Sequence, residues 1–468
     1  MKAFKTLAAI LASAFLTTVS FARDNLQIVS SIDSIVKTSL PAGTDISIYI
    51  WDLDGDSAVY AHREDVLNRP ASTMKVLTSF NALKSLGLNY SFQTQLKTDG
   101  TIDGDSILNG NLYLIGGLDP ELTEDDLKAL VGELANCGIR QINGDVIADI
   151  SIMDSIYWGS GWAWDDTPSS FQPYISPLTV HGGYVEVSVR PGRKGEAPSV
   201  KVTPESRYYT IENHARTGIE PLGPLSVKRE WLYNRNVIRI TGNASKATTI
   251  EQNLYDSDDF TFALFREYLT DAGISFYSYR NGVCPADSRL IAMTGHTLQE
   301  VMRETLKESI NLNAEAMFLQ AARSKNRARI SFSDAAKYED RLLKQYFPEC
   351  QGYNIADGSG LSMYDYVPAR LFVNVLRQIY RNPEYYALFY DCLPISGRDG
   401  TLKNRLNNWA TIDRIHAKTG TVTGSCTLAG YAVSNDHRNF AFCIMNSAAI
   451  KMAPSRRVQD AILTELCR

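Results

Sequence analysis

Apolar residues fall into three textures along the chain. From Asn25 to Leu40, Ile28, Ile32, Ile35 and Val36 recur at helical spacing and predict an amphipathic helix. Asp45 to Trp51 and Ala58 to His62 flank the turn residues Asp54-Gly55-Asp56, which predicts a hairpin. A second helix is predicted from about Ala71 to Leu86, stopped by Gly87. From about Tyr90 to Asp287 the texture changes to short β-type runs, such as Tyr184 to Val189 and Val237 to Ile240. Turn signals separate these runs, and one helix is predicted near Asp125 to Cys137. Helical spacing returns over Leu298 to Lys307, Leu312 to Arg323, Ser333 to Tyr346 and Val367 to Tyr380. Arg414 to Lys418, Thr427 to Val433 and Asn439 to Asn446 then predict antiparallel strands, followed by a closing helix from about Pro454 to Leu466. Helix and sheet at both ends imply one α/β (α+β) domain, residues 23–89 and 288–468, split by a mostly β insertion at 90–287 that could form two sub-domains.

Composition narrows the class. Hydrophobic residues make up 44% and charged residues 21% of 468, a globular balance. The net charge of -5 and the lack of a basic stripe argue against nucleic acid as a partner. Lys2 and Lys5, the apolar run Leu7 to Val19 and the small residues of Ser20-Phe21-Ala22 predict a cleaved secretory signal over residues 1–22. That run is shorter than the roughly 20 residues needed to cross a bilayer, and no later stretch is long enough. The first cysteine is Cys137, so no lipid-attachment site adjoins the leader, and export to the periplasm is the expectation. Seven scattered cysteines do not make a disulfide framework, although one or two bridges are compatible with export. The six histidines show no ligand spacing, and no catalytic metal or other cofactor is expected.

Three short motifs carry candidate chemistry. Ser72-Thr73-Met74-Lys75 opens the second predicted helix, and residues three apart on a helix share a face. A serine hydroxyl needs a base to become a nucleophile, and a lysine can be that base when burial lowers its pKa. The plain alternative is an N-cap serine, but a capping box wants Glu or Gln where Lys75 stands. Ser309-Ile310-Asn311 precedes the Leu312 helix, where it could relay a proton and hold a peptide, or simply cap the helix. Lys418-Thr419-Gly420, followed by Thr421, lies at the end of a predicted strand. A cation and a hydroxyl on an edge strand can hold a carboxylate, and glycine admits a close backbone whose N–H groups can receive an oxyanion.

Taken in order, S-x-x-K, S-x-N and K-T-G form the signature of penicillin-binding proteins and class A β-lactamases. The chain resembles the low-molecular-mass class C penicillin-binding proteins, the D-alanyl-D-alanine carboxypeptidase/endopeptidase family, over nearly all of the predicted mature sequence. Pro70 to Lys75, Leu112 to Pro120, Asp357 to Ser362, Gly400 to Lys403 and His416 to Gly420 carry the likeness. The family also places a large insertion between its first two motifs, as here.

The resemblance implies an acyl-enzyme on Ser72, with Lys75 as general base and backbone N–H groups of Ser72 and Thr421 as oxyanion donors. It implies that Ser309 passes a proton to the leaving amine, that Asn311 holds the peptide, and that Lys418, Thr419 and Gly420 receive its terminal carboxylate. Peptidoglycan peptides would be substrates and β-lactams covalent inhibitors. Ile310 stands where relatives often carry Asp, and Met363 stands where several carry an Arg that reads the stem peptide. Asp149 aligns with an acidic residue that relatives use for a side-chain amine. A β-lactamase is the nearest rival, but no E-x-x-L-N run lies between Asn311 and Lys418 and the insertion is too large. A non-catalytic wall-binding or β-lactam-sensing protein would be expected to carry a broken motif.

Overall fold

The computed structural model describes residues 25–324 and 329–468. The predicted leader, residues 1–22, lies outside the described residues.

The central sheet has five antiparallel strands in the order β3-β4-β5-β1-β2. They are β1 (Asp45–Asp52), β2 (Ser57–His62), β3 (Ile415–Val422), β4 (Gly424–Val433) and β5 (Asn439–Ala449). Strand periodicity explains how two cores share this one sheet. Ile46, Ile48 and Ile50 of β1, with Phe440, Phe442 and Ile444 of β5, face one apolar cluster. That cluster is closed by α1 (Asn25–Ser39) through Ile28 and Ile32, and by the C-terminal helix Met452–Cys467 through Val458, Ile462, Leu463 and Leu466. The intervening Tyr49, Ala441, Cys443 and Met445 face the opposite cluster. Both faces are therefore covered, and β4 and β5 are almost wholly buried.

The opposite cluster is built on α2 (Met74–Leu86), whose Met74, Val76, Leu77, Phe80 and Leu83 are all fully buried. Around it pack α3 (Leu298–Lys307), α4 (Asn311–Arg323), α5 (Phe332–Tyr346), α6 (Ala369–Tyr380) and α7 (Pro383–Cys392). Pro383 at the first turn and Asn382, which caps the Glu384 and Tyr385 amides, start α7. The sequence pattern had not announced that helix. β3 is an edge strand, so its outer side is open to a further partner over residues 419–421.

Residues between α2 and α3 build sheets around a separate apolar cluster that includes Leu96, Leu114, Leu127, Ile142, Val187, Phe260 and Phe265. Leu112–Ile115 and Gln141–Asp149 are parallel, joined through the helix Glu124–Asn136, as parallel strands require a crossover. Thr123 and Asp126 begin that helix with a capping box. A second helix, Ser257–Asp271, corrects the expectation of a single helix in this stretch. Its Phe260, Phe262, Phe265 and Tyr268 are aromatics that also suit strands, which masked the helical period. Strand Ser91–Thr98 pairs with Arg289–Thr297 where the chain leaves α2 and returns to α3.

Candidate active site

Ser72 lies in the 3-10 turn Ala71–Thr73 that leads into α2. This differs from the expected position within the α-helix, yet residues three apart still align across such a turn. Lys75, in the first turn of α2, is fully buried. Its Nζ donates to Ser72 Oγ at 3.0 Å, to Asn311 Oδ1 at 2.6 Å and to the Ser359 carbonyl at 2.9 Å. Burial lowers its pKa to about 8, against the pull of Asp357 and Glu315, which favour the ammonium.

The second motif stands between α3 and α4. Ser309 has a left-handed backbone (φ 68°), and its Oγ accepts from Lys418 Nζ at 2.9 Å. Asn311 is the first residue of α4; besides holding Lys75, its Nδ2 donates to the Phe171 carbonyl at 2.6 Å. Ile310, in the middle of the motif, is 39% exposed and turns away from this network.

The third motif lies within β3, which runs on to Val422 rather than ending at Lys418. Lys418 is fully buried, and burial together with the neighbouring Lys75 holds its pKa well below the usual lysine range. The Thr419 hydroxyl donates to Thr401 Oγ1 at 2.9 Å. The Thr421 hydroxyl accepts from Arg456 at 3.3 Å. Backbone directions along β3 follow from its neighbours. The Ile415 carbonyl and the Ala417 N–H bond outward to Ser396 and Pro394. By strand alternation the N–H and C=O groups of Thr419 and Thr421 point to the same open edge. Gly420 carries no side chain because a Cβ would lie 2.1 Å from Thr427 Oγ1 and 2.7 Å from the Pro70 carbonyl. Its absence lets the strand press against the turn that carries Ser72.

A hydroxyl beside a buried amine, a second hydroxyl beside a second buried amine, and an open strand edge thus share one cleft. A profile of the D-Ala-D-Ala carboxypeptidase 3 (S13) family matches residues 28–466. The chain belongs to that family. A D-alanyl-D-alanine carboxypeptidase of Actinomadura sp. (strain R39) is 30% identical over 455 residues, which cover 93% of this chain and 83% of the relative. The D-alanyl-D-alanine carboxypeptidase DacB of Haemophilus influenzae is 26% identical, covering 94% and 93%. Penicillin binding protein 4 from Haemophilus influenzae has a solved structure with the same fold, at a TM-score of 0.84 and 24% identity over 93% of this chain and 99% of that one. S13 chains are serine peptidases, so the expected fold and enzyme class hold for this chain.

The S13 site has a polar foundation that the motifs did not reveal. Glu315, one turn after Asn311 on α4, is fully buried and accepts from the Gly358 and Ser359 amides at 2.9 and 2.8 Å. Burial and Asp357 raise its pKa to about 8. Asp357 accepts from the Gly360 and Ser362 amides, each at 2.7 Å, and from Trp162 Nε1 at 2.8 Å. The tryptophan comes from the aromatic loop of the inserted segment, so that segment touches the foundation of the cleft. In the Asp357 to Ser362 stretch, a carboxylate followed by three small residues is the signature of a tight loop. Glu315 sits mid-helix without a sequence pattern to mark it.

Asp149 is 5% exposed and caps the Ser151 and Cys284 amides at 2.9 and 2.7 Å, so its carboxylate is already engaged. Met363 is 45% exposed at the cleft rim. Five of the seven cysteines are buried as free thiols, Cys350, Cys392, Cys426, Cys443 and Cys467. Among the described residues no helix is long and apolar enough to cross a membrane.

Proposed function

We propose that Ser72 is the nucleophile of a D-alanyl-D-alanine carboxypeptidase/endopeptidase acting on peptidoglycan stem peptides, with Lys75 as its base. The observation that carries this is the 3.0 Å contact of Ser72 Oγ with an amine that burial holds near pKa 8. When that amine is neutral, Asn311 Oδ1 and the Ser359 carbonyl occupy its two N–H bonds. The lone pair is then left facing the Ser72 hydroxyl.

Lys75 takes the Ser72 proton as Oγ bonds to the carbonyl carbon of the penultimate D-alanine. The backbone N–H groups of Ser72 and Thr421 receive the oxyanion, each such donor being worth roughly 2.7–4 kcal/mol. As the C–N bond breaks, the Ser309 hydroxyl gives its proton to the departing amine and regains one through the Lys418–Lys75 network. Lys418, with the Thr419 hydroxyl and the Gly420 backbone, holds the terminal carboxylate. Water, deprotonated by the same network, then cleaves the ester and frees the shortened peptide. Asn311 orients the substrate backbone once its Nδ2 exchanges the Phe171 carbonyl for the peptide. A β-lactam opens on Ser72 in the same way and leaves a stable acyl group. We assign the catalytic unit to residues 23–89 and 288–468 and the insertion to 90–287, with export to the periplasm directed by residues 1–22.

The test combines intact mass after penicillin treatment, peptide mapping of the adduct, and release of D-alanine from a stem peptide. Adduct formation at Ser72 and loss of both activities in Ser72→Ala are expected. Peptide cleavage undiminished in Ser72→Ala overturns the assignment.

A further inference from the structure

We infer that the cavity between the C-terminal end of α4 and the inserted segment is a second binding site, for a sugar that carries a carboxylate. The site goes beyond the proposed function, and only the choice of sugar draws on that reading.

The cavity has a volume of about 810 Å³, within the usual range for small-molecule sites. Gln320 and Arg323 of α4 line it, and residues three apart share one helical face. They stand nine and twelve residues beyond Asn311, roughly 14 and 18 Å along the helix, so the cavity is distinct from the Ser72 cleft. The inserted segment contributes Gln93 and Gln95 of strand Ser91–Thr98, Ile115 of strand Leu112–Ile115, and Ile152.

Two buried polar atoms here have no partner. Gln320 is 6% exposed; its Nε2 donates to Tyr90 Oη, while its Oε1 is unbonded. Arg323 is half-buried, and its Nε is buried and unbonded. Among the described residues Arg323 forms no ion pair, and none of its five N–H groups is donated. Its place in the last turn of α4 suits the helix dipole, but that field leaves every donor free. Buried groups without partners cost stability that a bonded ligand restores. A guanidinium with parallel free donors selects a planar carboxylate, and Gln320 Oε1 selects a hydroxyl or amide N–H beside it. The other walls extend the match. Gln95 Nε2 donates to Gln93 Oε1 at 3.1 Å, which leaves the Gln93 N–H groups and Gln95 Oε1 for hydroxyls. Ile115 and Ile152 offer apolar surface to the C–H groups of a ring. N-acetylmuramic acid, the peptidoglycan sugar to which stem peptides are attached, combines these features: a ring with hydroxyls, an amide N–H and a lactyl carboxylate.

The experiment is calorimetry on the full chain with N-acetylmuramic acid and with N-acetylglucosamine, which lacks the lactyl carboxylate, before and after acylation by penicillin. The wild type is expected to bind the acidic sugar more tightly by about tenfold or more, with or without the acyl group. Arg323→Gln is expected to weaken N-acetylmuramic acid binding by about 10- to 100-fold, the worth of a charge-assisted hydrogen bond. N-acetylglucosamine binding and D-alanine release from a soluble stem peptide should stay unchanged in that variant, and Arg323→Lys should keep part of the preference. Equal affinity for the two sugars, unchanged affinity in Arg323→Gln, loss of binding on acylation, or no binding of the acidic sugar in the millimolar range overturns the inference. If penicillin fails to acylate Ser72, it is the proposed function that fails, and binding to the untreated protein still tests this site.

Discussion

Lys418 donates a 2.9 Å hydrogen bond to Ser309, joining an edge strand to a turn more than a hundred residues earlier in the chain. Both groups are thereby fixed before substrate arrives. Ser309 is held in a left-handed backbone conformation, which costs a residue with a Cβ on the order of 1–3 kcal/mol and persists only where the surroundings impose it. Removal of the hydroxyl in Ser309→Ala keeps the turn and deletes the proposed proton relay. Peptide turnover is expected to fall by about 10²- to 10⁴-fold. Steady-state release of D-alanine measures this, and a loss under threefold would exclude Ser309 from proton transfer.

The second prediction concerns pH. The proposed base is the neutral form of Lys75, so acylation by penicillin should rise about tenfold per pH unit and level off above about 8. Asp357 favours the ammonium form. Its replacement in Asp357→Asn removes a negative charge, so the midpoint should move to lower pH while one oxygen remains for a loop amide. Stopped-flow acylation across pH reads both. A midpoint that stays put or moves upward contradicts the electrostatic account.

The three motifs were legible because each is a short run with chemistry in it. Their meeting was not, since nothing local to Ser72 specifies that Asn311 and Ser359 will close around Lys75. The paired cores of the sheet were visible only as uninterrupted apolar strands such as Phe440 to Met445, where burial on both faces erases alternation. Helix Ser257–Asp271 was hidden by its aromatics, and α7 by a short pattern rich in tyrosine. Glu315 was beyond reach, because an acidic residue in a helix is normally solvated and only the fold shows two amides waiting for it.

Close backbone packing beneath Ser72 gives a third prediction. Gly360 has φ 80°, and a Cβ there would lie 1.9 Å from the Ala71 carbonyl, next to Ser72. Gly360→Ala must therefore displace either the loop carrying the Ser359 carbonyl or the turn carrying Ser72. Penicillin acylation should fall at least tenfold, with Tm lowered as well, because a strained backbone position costs about 1–3 kcal/mol. Wild-type acylation and Tm in this variant would mean that the two backbones are not in contact.

The last prediction concerns the junction between the inserted segment and the catalytic elements. His296 Nδ1 lies 3.0 Å from Asp119 Oδ2, a carboxylate whose side chain is fully buried. Nearby, Glu121 accepts from Asn313 of α4, so this corner ties the insertion to the helix that starts at Asn311. The hydrogen bond to Asp119 raises His296 from 6.5 to about 9, against the opposing effect of burial. Burial alone pushes Asp119 upward and the imidazole pulls it back, so the pair titrates as a unit. The histidine keeps access to water, and we assign the shared proton to it at neutral pH. A folded-state pKa raised above the unfolded value binds protons preferentially in the native state, so its stabilisation is complete below about pH 6.5 and is lost as pH rises through about 9. His296→Gln should therefore lower Tm at pH 6 and converge with wild type at pH 10. A Tm difference independent of pH across that window would show that the contact works through packing alone.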